Sequence, residues 1–284
     1  MIKGKTLMKI QTISKTDNEL CFVLSGIDSV YANTLRRIML VEIPVLAIDE
    51  VTFIKNDSAL YDEIIAHRLG LIPLTTDLKT YEKKDSCSCK GKGCAKCQLT
   101  LSLKAKGPCT VYASSLESTD PKVKPAYPDL PIVKLLEGQK LELEATAVCG
   151  IGKEHIKFSP GLAYYRAYPI IELKGCKDKL IADICPKKVF EFSDKLEIKN
   201  LINCDLCKAC EESCKDNSIK VSASETNFIF NIESFGQIKP IEILQTALKV
   251  LEGKLEEFEY KLTKKEEKPK KETKTKKVGK KKKK

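Results

Sequence analysis

Four cysteines stand close together in the first third of the chain. They form a Cys-x-Cys pair and a Cys-x-x-Cys pair, and the residues are Cys87, Cys89, Cys94 and Cys97. The loop between the pairs is rich in glycine, which permits the sharp turn that lets four thiolates converge on one ion. Four sulfur ligands leave no open coordination position, as in structural zinc sites. The spacing therefore predicts structural zinc, against the alternative of free surface thiols.

A second group of cysteines has the Cys-x2-Cys-x2-Cys-x3-Cys spacing of bacterial-type ferredoxins. The run comprises Cys204, Cys207, Cys210 and Cys214. In that motif the first three thiolates hold three corners of a cluster, and the fourth cysteine serves another cluster. Cys185 precedes a proline, as the last cysteine of such a motif does, and is the expected fourth ligand. We predict one [4Fe–4S] cluster on Cys185, Cys204, Cys207 and Cys210. A three-iron cluster is the variant, and a second zinc site is the alternative.

Five of the thirteen cysteines remain outside these two ligand sets. Cys214 is left over from the second run. Cys176 is one position out of register for a second ferredoxin motif, so a second cluster is not expected. Cys21, Cys109 and Cys149 lie in apolar stretches and are predicted to be small core residues. Tight spacings of this kind favour metal ligation in a reducing compartment over disulfides, so we expect a cytoplasmic protein.

Catalysis by the chain itself is not expected. The sequence has no phosphate-binding Gly-x4-Gly-Lys-Ser/Thr loop and no acidic cluster that would hold catalytic magnesium. His67 and His155 are the only histidines. Neither has a cysteine or serine nucleophile in a known arrangement, and both are predicted to be structural hydrogen-bonding residues. No apolar run approaches the roughly 18 residues of a membrane span.

The positive charge of the chain is concentrated at its end. The formal net charge is +11, and residues 263–284 hold thirteen lysines and three glutamates, so the rest of the chain is almost neutral. A segment with so few apolar side chains cannot offset the entropy of ordering. We predict a disordered tail that solubilises the protein or contacts nucleic acid weakly.

The elements that would carry the cysteine sites begin and end with a similar pattern. Alternating apolar residues predict a strand over Glu19–Leu24, and apolar residues spaced along one helical face predict a helix over Val30–Leu40. A further strand is predicted over Ala47–Ile54. Near the other end, a strand over Asn227–Glu233 precedes Pro240, which suits the first position of a helix. The two ends are predicted to form one domain into which the middle of the chain is inserted.

The last predicted helix carries a regular apolar stripe. Its large apolar residues recur at alternating steps of four and three, as in a coiled coil. They are Leu244, Leu248, Leu251, Leu255, Phe258 and Leu262. The stripe packs either on the sheet of its own domain or against a helix of a second chain, and the pattern alone leaves both open.

Four segments carry a resemblance to a known family. They are Asn33–Leu40, Ala66–Pro73, Gly152–Pro160, and Phe228–Gly236 with the helix that follows it. Together with the cysteine runs they resemble the D subunit of archaeal DNA-directed RNA polymerase, the counterpart of the bacterial α subunit. The second cysteine run is similar to the family type that has a ferredoxin-like insert. The resemblance covers nearly all of residues 1–262.

The resemblance implies an α+β fold with three parts. A discontinuous α-subunit-like dimerisation domain would comprise residues 1–48 and 224–262. An inserted mixed domain with the zinc loop would comprise residues 49–168, and a ferredoxin-like iron–sulfur domain residues 169–223. Residues 263–284 would be the tail.

The resemblance also implies a function in DNA-templated transcription. Such a subunit is a non-catalytic assembly platform within a nucleotidyltransferase complex. It pairs with the small L subunit, recruits subunits N and P and docks the two large subunits, and it contacts no membrane. Nucleic acid would be reached through the complex or weakly through the tail. The expected dimer-interface residues are Leu35, Ile38, Met39, Leu244, Leu248, Leu251 and Leu255. The alternatives are a ferredoxin-like electron-transfer protein and a zinc- and tail-dependent nucleic-acid binder.

Overall fold

The computed structural model describes residues 7–175, 179–214, 216 and 218–263. The strands in this part of the chain are β1 (Lys9–Lys15), β2 (Glu19–Ser25), β3 (Pro44–Asn56), β4 (Gln98–Lys106), β5 (Cys109–Tyr112), β6 (Glu117–Ser118), β7 (Pro131–Leu135), β8 (Lys140–Ile151), β9 (Gly161–Leu173), β10 (Phe190–Phe192), β11 (Leu196–Ile198) and β12 (Ile219–Ser234). The α-helices are α1 (Ser29–Val41), α2 (Asp62–Gly70), α3 (Leu180–Ile184), α4 (Ala209–Glu212) and α5 (Pro240–Thr263).

Both ends of the chain contribute to one four-stranded antiparallel sheet, in the order β1-β2-β12-β9. Aromatic residues fill the middle of its core: Phe22 stacks on Phe230 with ring centroids 5.3 Å apart, and Tyr165 meets Phe228 edge-on at 5.5 Å. Helices α1 and α5 pack against this core. The beginning and the end of the described chain therefore share one hydrophobic cluster, which we call the terminal core.

Helix α1 is fixed at its start and along one face. The Asp28 carboxylate accepts a hydrogen bond from the Tyr31 N–H at 2.7 Å, which satisfies a donor that has no partner within the helix. Four apolar side chains at helical spacing are buried, namely Ala32, Leu35, Ile38 and Met39. The observed helix matches the predicted one over Val30–Leu40 to within one residue at each end.

The segment between the two ends forms a second sheet, in the order β3-β8-β4-β6, beside the small sheet β5-β7. Strand β4 alternates strictly, with Leu99, Leu101 and Leu103 buried and the residues between them exposed. Helix α2 covers the same core with Ile65 and Leu69. This second cluster, the insert core, lies directly beside the first cysteine group, because β4 begins one residue after Cys97.

A third region is formed where strands β9 and β12 extend beyond the first sheet. Beyond a register shift between Ala223 and Phe228, the start of β12 pairs with the end of β9. Buried side chains there, such as Val221, join those of α3, α4 and the hairpin β10-β11 in a small separate cluster. This third cluster contains the second cysteine group. It is connected to the terminal core through two continuous strands, β9 and β12.

The first half of β9 differs from the predicted domain division. Residues 161–167 were expected to belong to the insert domain, but they pair with β12 between Phe228 and Ser234 in the first sheet. The close approach depends on Gly161, since a Cβ at that position would lie 2.1 Å from the Glu233 carbonyl oxygen. The first half of β9 therefore lies in the first sheet and not in the second.

The predicted mixed α+β class is confirmed, since several sheets combine with few helices. Among the helices of the described residues, none has the length and apolar character needed to span a membrane.

Candidate metal centres and partner surface

The four cysteines of the first group converge. All four Sγ atoms lie within 4.8 Å of one another. The Cys87–Cys94, Cys89–Cys97 and Cys94–Cys97 sulfur distances are 3.5, 3.6 and 3.9 Å. Sulfurs placed 2.3 Å from a common ion in a tetrahedron are about 3.8 Å apart. The group could therefore hold one metal ion with four sulfur ligands.

Local backbone geometry builds this group. Lys90, Gly91 and Gly93 all have positive φ, at 53°, 81° and 84°, which folds the loop back on itself. The Cys97 N–H donates to the Cys94 carbonyl at 2.9 Å, and the Cys94 N–H donates to Cys97 Sγ at 3.3 Å. The loop is attached to the insert core by the Cys149 N–H, which donates to the Cys97 carbonyl. Hydrogen bonds and turns within the loop thus bring the four thiols together.

The thiols of this group differ in pKa because their surroundings differ. Burial acts to raise the pKa of Cys89, but hydrogen bonds from the Cys87 and Cys97 side chains and from the backbone of the glycine loop outweigh it and lower the pKa to about 7. Burial raises the pKa of Cys97 to about 12. Metal binding to this group must therefore release protons, chiefly from the buried thiols.

The second cysteine group lines one small pocket. The residues that line it include Cys185, Cys204, Cys207 and Cys210, with Val189, Phe190 and Val221 as apolar walls. A cubane cluster occupies space between its ligands, and these four cysteines lie around one such space. The four predicted residues are thus brought together around one pocket.

The loop that carries three of these cysteines has an unusual backbone. Leu206 and Lys208 both adopt positive φ, at 62° and 60°, which is uncommon for residues other than glycine and is typical of functional loops. Burial raises the pKa of Cys210 to about 11, with the charges of Cys185 and Cys204 acting in the same direction. Cys207, in contrast, is exposed. The loop therefore presents two buried thiols and one at the surface.

The remaining cysteines follow the predictions only in part. Cys149 is buried and Cys21 half-buried, but Cys109 is exposed at the start of the edge strand β5, so its prediction as a core residue is wrong. Cys214 lies in the third cluster, and its Sγ is 3.1 Å from the Ser218 hydroxyl. Cys176 is outside the described residues.

One residue near the second group was not identified from the sequence. Arg166 on β9 donates through Nη1 to the Cys204 carbonyl at 2.6 Å and through Nη2 to the Ile202 carbonyl. No local motif could have indicated this contact, since its partners are 36 and 38 residues away in the sequence. Only the path of β9 brings them together.

Within the part of the chain that the structure describes, neither histidine belongs to a cluster of metal-ligating side chains. His155 accepts a hydrogen bond at Nδ1 from the Lys157 N–H at 3.2 Å and so caps a short 3-10 helix, as expected of a structural residue. His67 is exposed in the last turn of α2.

The apolar stripe of α5 divides into a buried and an exposed part. Leu244 is buried in the terminal core, Leu248 is 38% exposed, and Leu255, Phe258 and Leu262 are each about 60% exposed. Lys254 forms an ion pair with Glu42 near the end of α1. Beyond this point the helix continues past its own sheet, and its apolar side chains lie open. The first part of the stripe thus packs on the sheet of its own domain, and packing of the exposed part against a second chain stays a prediction.

This division narrows the predicted dimer interface. Leu35, Ile38, Met39 and Leu244 are between 1% and 6% exposed within the chain's own core, so they are not available to a partner. A stripe pattern cannot distinguish a residue that packs on its own sheet from one that packs on another chain. Leu248, Leu251 and Leu255 remain as interface residues, and that role stays a prediction. The lysine-rich segment after Thr263 is outside the described residues.

Comparison with known proteins identifies the family. The family model described as the RNA polymerase Rpb3/RpoA insert domain matches residues 46–161. This match ends where β9 begins, in agreement with the place at which the chain returns to the first sheet.

Relatives match over nearly the whole chain. The DNA-directed RNA polymerase subunit Rpo3 of Methanosarcina acetivorans is 40% identical, covering 88% of this chain and 96% of that protein. The same subunit of Methanosarcina mazei is 41% identical over the same shares, and that of Methanosphaera stadtmanae is 41% identical over 87% and 96%. The prediction of a polymerase subunit is thereby confirmed, and the electron-carrier alternative gains no support. The chain belongs to the Rpo3, or D subunit, family of archaeal DNA-directed RNA polymerases.

Proposed function

We propose that this subunit is a non-catalytic assembly platform that pairs with the small L subunit through the exposed part of α5. The observation that carries the proposal is the open stripe of Leu248, Leu255, Phe258 and Leu262 on a helix that continues past its own sheet. Large apolar side chains arranged in this way favour packing against a second helix. The heterodimer then recruits subunits N and P and docks the two large subunits.

The first cysteine group is proposed to hold one structural zinc ion. Four sulfurs at nearly tetrahedral spacing suit zinc, and a complete sulfur set leaves no position for substrate or water. When bound, the ion supplies a cross-link between the two halves of the loop. The cross-linked loop is also joined to the insert core, because the Cys97 carbonyl accepts a hydrogen bond from the Cys149 N–H on β8.

The second cysteine group is proposed to hold one iron–sulfur cluster, of the [4Fe–4S] or the three-iron type. The support is the ferredoxin-like spacing and the shared pocket of Cys185, Cys204, Cys207 and Cys210. When bound, a cluster supplies covalent links between segments that are far apart in the sequence. In this chain those links join the loop after α3 to the loop before α4, so the chain is proposed to be of the ferredoxin-like-insert type.

We propose a domain division that follows the three hydrophobic clusters. The dimerisation domain contains the two ends of the chain together with the first half of β9. The insert domain extends from about residue 46 to residue 161, the range of the matching family model. The iron–sulfur domain contains the third cluster, and the tail follows α5. A cytoplasmic location is proposed, since cysteine ligands need a reducing compartment.

The experiment that tests the partner surface is co-expression with the L subunit of the same organism. The double variant Leu248→Asp, Leu255→Asp places two charges on the exposed stripe and is expected to lower the heterodimer yield at least tenfold, measured by affinity capture and gel filtration. Leu136→Asp is the matched control, since Leu136 is 58% exposed but lies in the insert domain. Unchanged pairing of the double variant would refute the proposed interface.

A further inference from the structure

Arg166 joins the first sheet to the loop that carries the second cysteine run. Its guanidinium donates two hydrogen bonds, one to the Cys204 carbonyl at 2.6 Å and one to the Ile202 carbonyl. We propose that Arg166 is a positioning residue that fixes the backbone at Cys204 so that its thiolate faces the pocket. The inference rests on the proposed function of this pocket as an iron–sulfur site.

The two carbonyls need a partner from outside their own segment. They lie at the end of the 3-10 helix Leu201–Asn203, where the last carbonyls of a helix have no partner within it. A guanidinium offers several N–H groups in a fixed planar fork, and its positive charge is favourable at the negative end of a helical turn. Arg166 therefore satisfies two acceptors with one rigid group immediately before the ligand loop.

We call Arg166 and its two hydrogen bonds to the Ile202 and Cys204 carbonyls the clamp. The strand that carries Arg166 is held firmly in the sheet. Arg166 lies opposite Ile229 in the pairing of β9 with β12, and Ile229 is fully buried. The neighbouring Tyr165 packs in the terminal core against Phe230 on the other face of the sheet. Because β9 is held on both faces, Arg166 provides a fixed point from which the loop at Cys204 can be positioned.

The two hydrogen bonds of Arg166 also hold the loop at Cys204 beside the β12 side of the pocket. Val221 on β12 lines the pocket of the four cysteines, and β12 pairs with β9 along its whole length apart from the register shift. The sheet thus supplies both the wall and the arginine that holds Cys204 next to it. Cys185 and Cys210 come from other segments, so a small shift of Cys204 would separate it from the other thiols.

The test compares Arg166→Gln and Arg166→Lys with the wild-type full chain after anaerobic iron and sulfide reconstitution. Arg68→Gln is the control, because the Arg68 guanidinium on α2 also donates to a backbone carbonyl, that of Pro131 on β7 at 2.6 Å, away from both cysteine groups. Iron release to a chelator, followed by visible absorbance, is expected to be about tenfold faster for Arg166→Gln. Arg166→Lys is expected to be intermediate, since an ammonium group can replace the charge but not the planar fork.

Two further readouts separate positioning from general stability. The visible circular dichroism of the reconstituted chain reports the arrangement of its ligands and is expected to change in Arg166→Gln but not in Arg68→Gln. Hydrogen exchange at the amides of Asn203 and Cys204 in the metal-free protein is expected to be faster in Arg166→Gln. Zinc content in the same samples is expected to be equal.

Each outcome is decisive. Release and exchange equal to wild type in Arg166→Gln would overturn the proposal. If that variant does not fold, Arg166→Lys decides, and wild-type behaviour in all three readouts would overturn it. A wild-type chain that takes up no iron would instead refute the iron–sulfur function, while hydrogen exchange would still test the clamp.

Discussion

The two cysteine sites are built in opposite ways. Four ligands of the first site lie within one short loop, and backbone bonds inside that loop bring their sulfurs together. The second site draws Cys185 and Cys204 from segments separated by a β-hairpin, and an arginine from a distant strand holds one of them. The first site therefore needs little from the fold around it, whereas the second needs the sheet to be in place. Thiols can therefore be brought together either by the bonds of one loop or by the tertiary structure around them.

The largest expected effect comes from removing one ligand at each site. Cys207→Ser is expected to abolish most iron binding and the associated visible absorbance while zinc remains, because serine cannot replace a thiolate toward iron. Cys94→Ser is expected to abolish zinc binding while iron remains. Metal analysis of both variants checks the separation. Loss of both metals in either variant would break the distinction between a local and a tertiary site.

The next effect concerns the acidity of the thiols in metal-free protein. The lowered pKa of Cys89, about 7, means that it is mostly thiolate at pH 8, whereas the raised pKa of Cys210, about 11, keeps that residue as a thiol. The thiolate is the reactive form, and its fraction at pH 8 is roughly three orders of magnitude larger at Cys89, so alkylation is expected to be faster at Cys89 than at Cys210. The sign follows from the direction of each shift, since Cys89 ionises as the pH rises through 7 and Cys210 only near 11.

Mass spectrometry of alkylated peptides across pH 6–10 checks this difference. The position of each profile along the pH axis, and not its height, reports the pKa, so accessibility does not confuse the result. Similar midpoints for Cys89 and Cys210 would contradict the account of the two environments.

The smallest expected effect concerns the glycine loop of the first site. Gly91→Ala introduces a Cβ at φ 81° with no atom within 4 Å, so only the backbone strain of about 1–2 kcal/mol opposes zinc binding. Gly93→Ala has similar strain and also places its Cβ 2.4 Å from the Gln98 Oε1 atom. Zinc affinity is expected to fall about tenfold in Gly91→Ala and further in Gly93→Ala, as measured by competition with a chelating dye.

A second substitution sharpens this last prediction. Adding Gln98→Ala to Gly93→Ala removes the crowded side chain and is expected to restore zinc affinity to the level of Gly91→Ala. Iron content is expected to stay unchanged in all three variants, because the second site shares no segment with this loop. A loss of iron in any of them would mean that the two sites are coupled.

For both sites the ligand residues could be predicted from the sequence, but for the second site the contact that supports them could not. Both ligand sets could be written down from spacing, because spacing along a loop determines which thiols can meet. The contact between Arg166 and Cys204 could not, since it depends on how β9 pairs with β12. The same limit applies to the helices: the stripe on α5 was visible, but its burial at Leu244 and exposure at Leu255 depend on where the sheet ends.

The same limit on prediction applies to the fold. Strand β2 and helix α1 were predicted to within one residue at each end, because alternation and helical spacing are local properties. Strand β12 begins eight residues before the predicted Asn227, and β1 was not predicted. The pairing of the first half of β9 with β12 could not be predicted, since β12 lies far away in the sequence and only Gly161 marks the close approach. Local patterns therefore identified the elements, and tertiary pairing decided to which core each one belongs.

The central claim is that this chain is an assembly subunit of RNA polymerase with one zinc site and one iron–sulfur site. Its most direct test is anaerobic affinity purification of the tagged full chain from its native cells, with protein identification and metal analysis of the same sample. Co-purification of the small and large polymerase subunits is expected, with at least one zinc atom and about three or four iron atoms per copy of this chain. A chain that purifies without the large subunits, or a complete complex without iron, would contradict it.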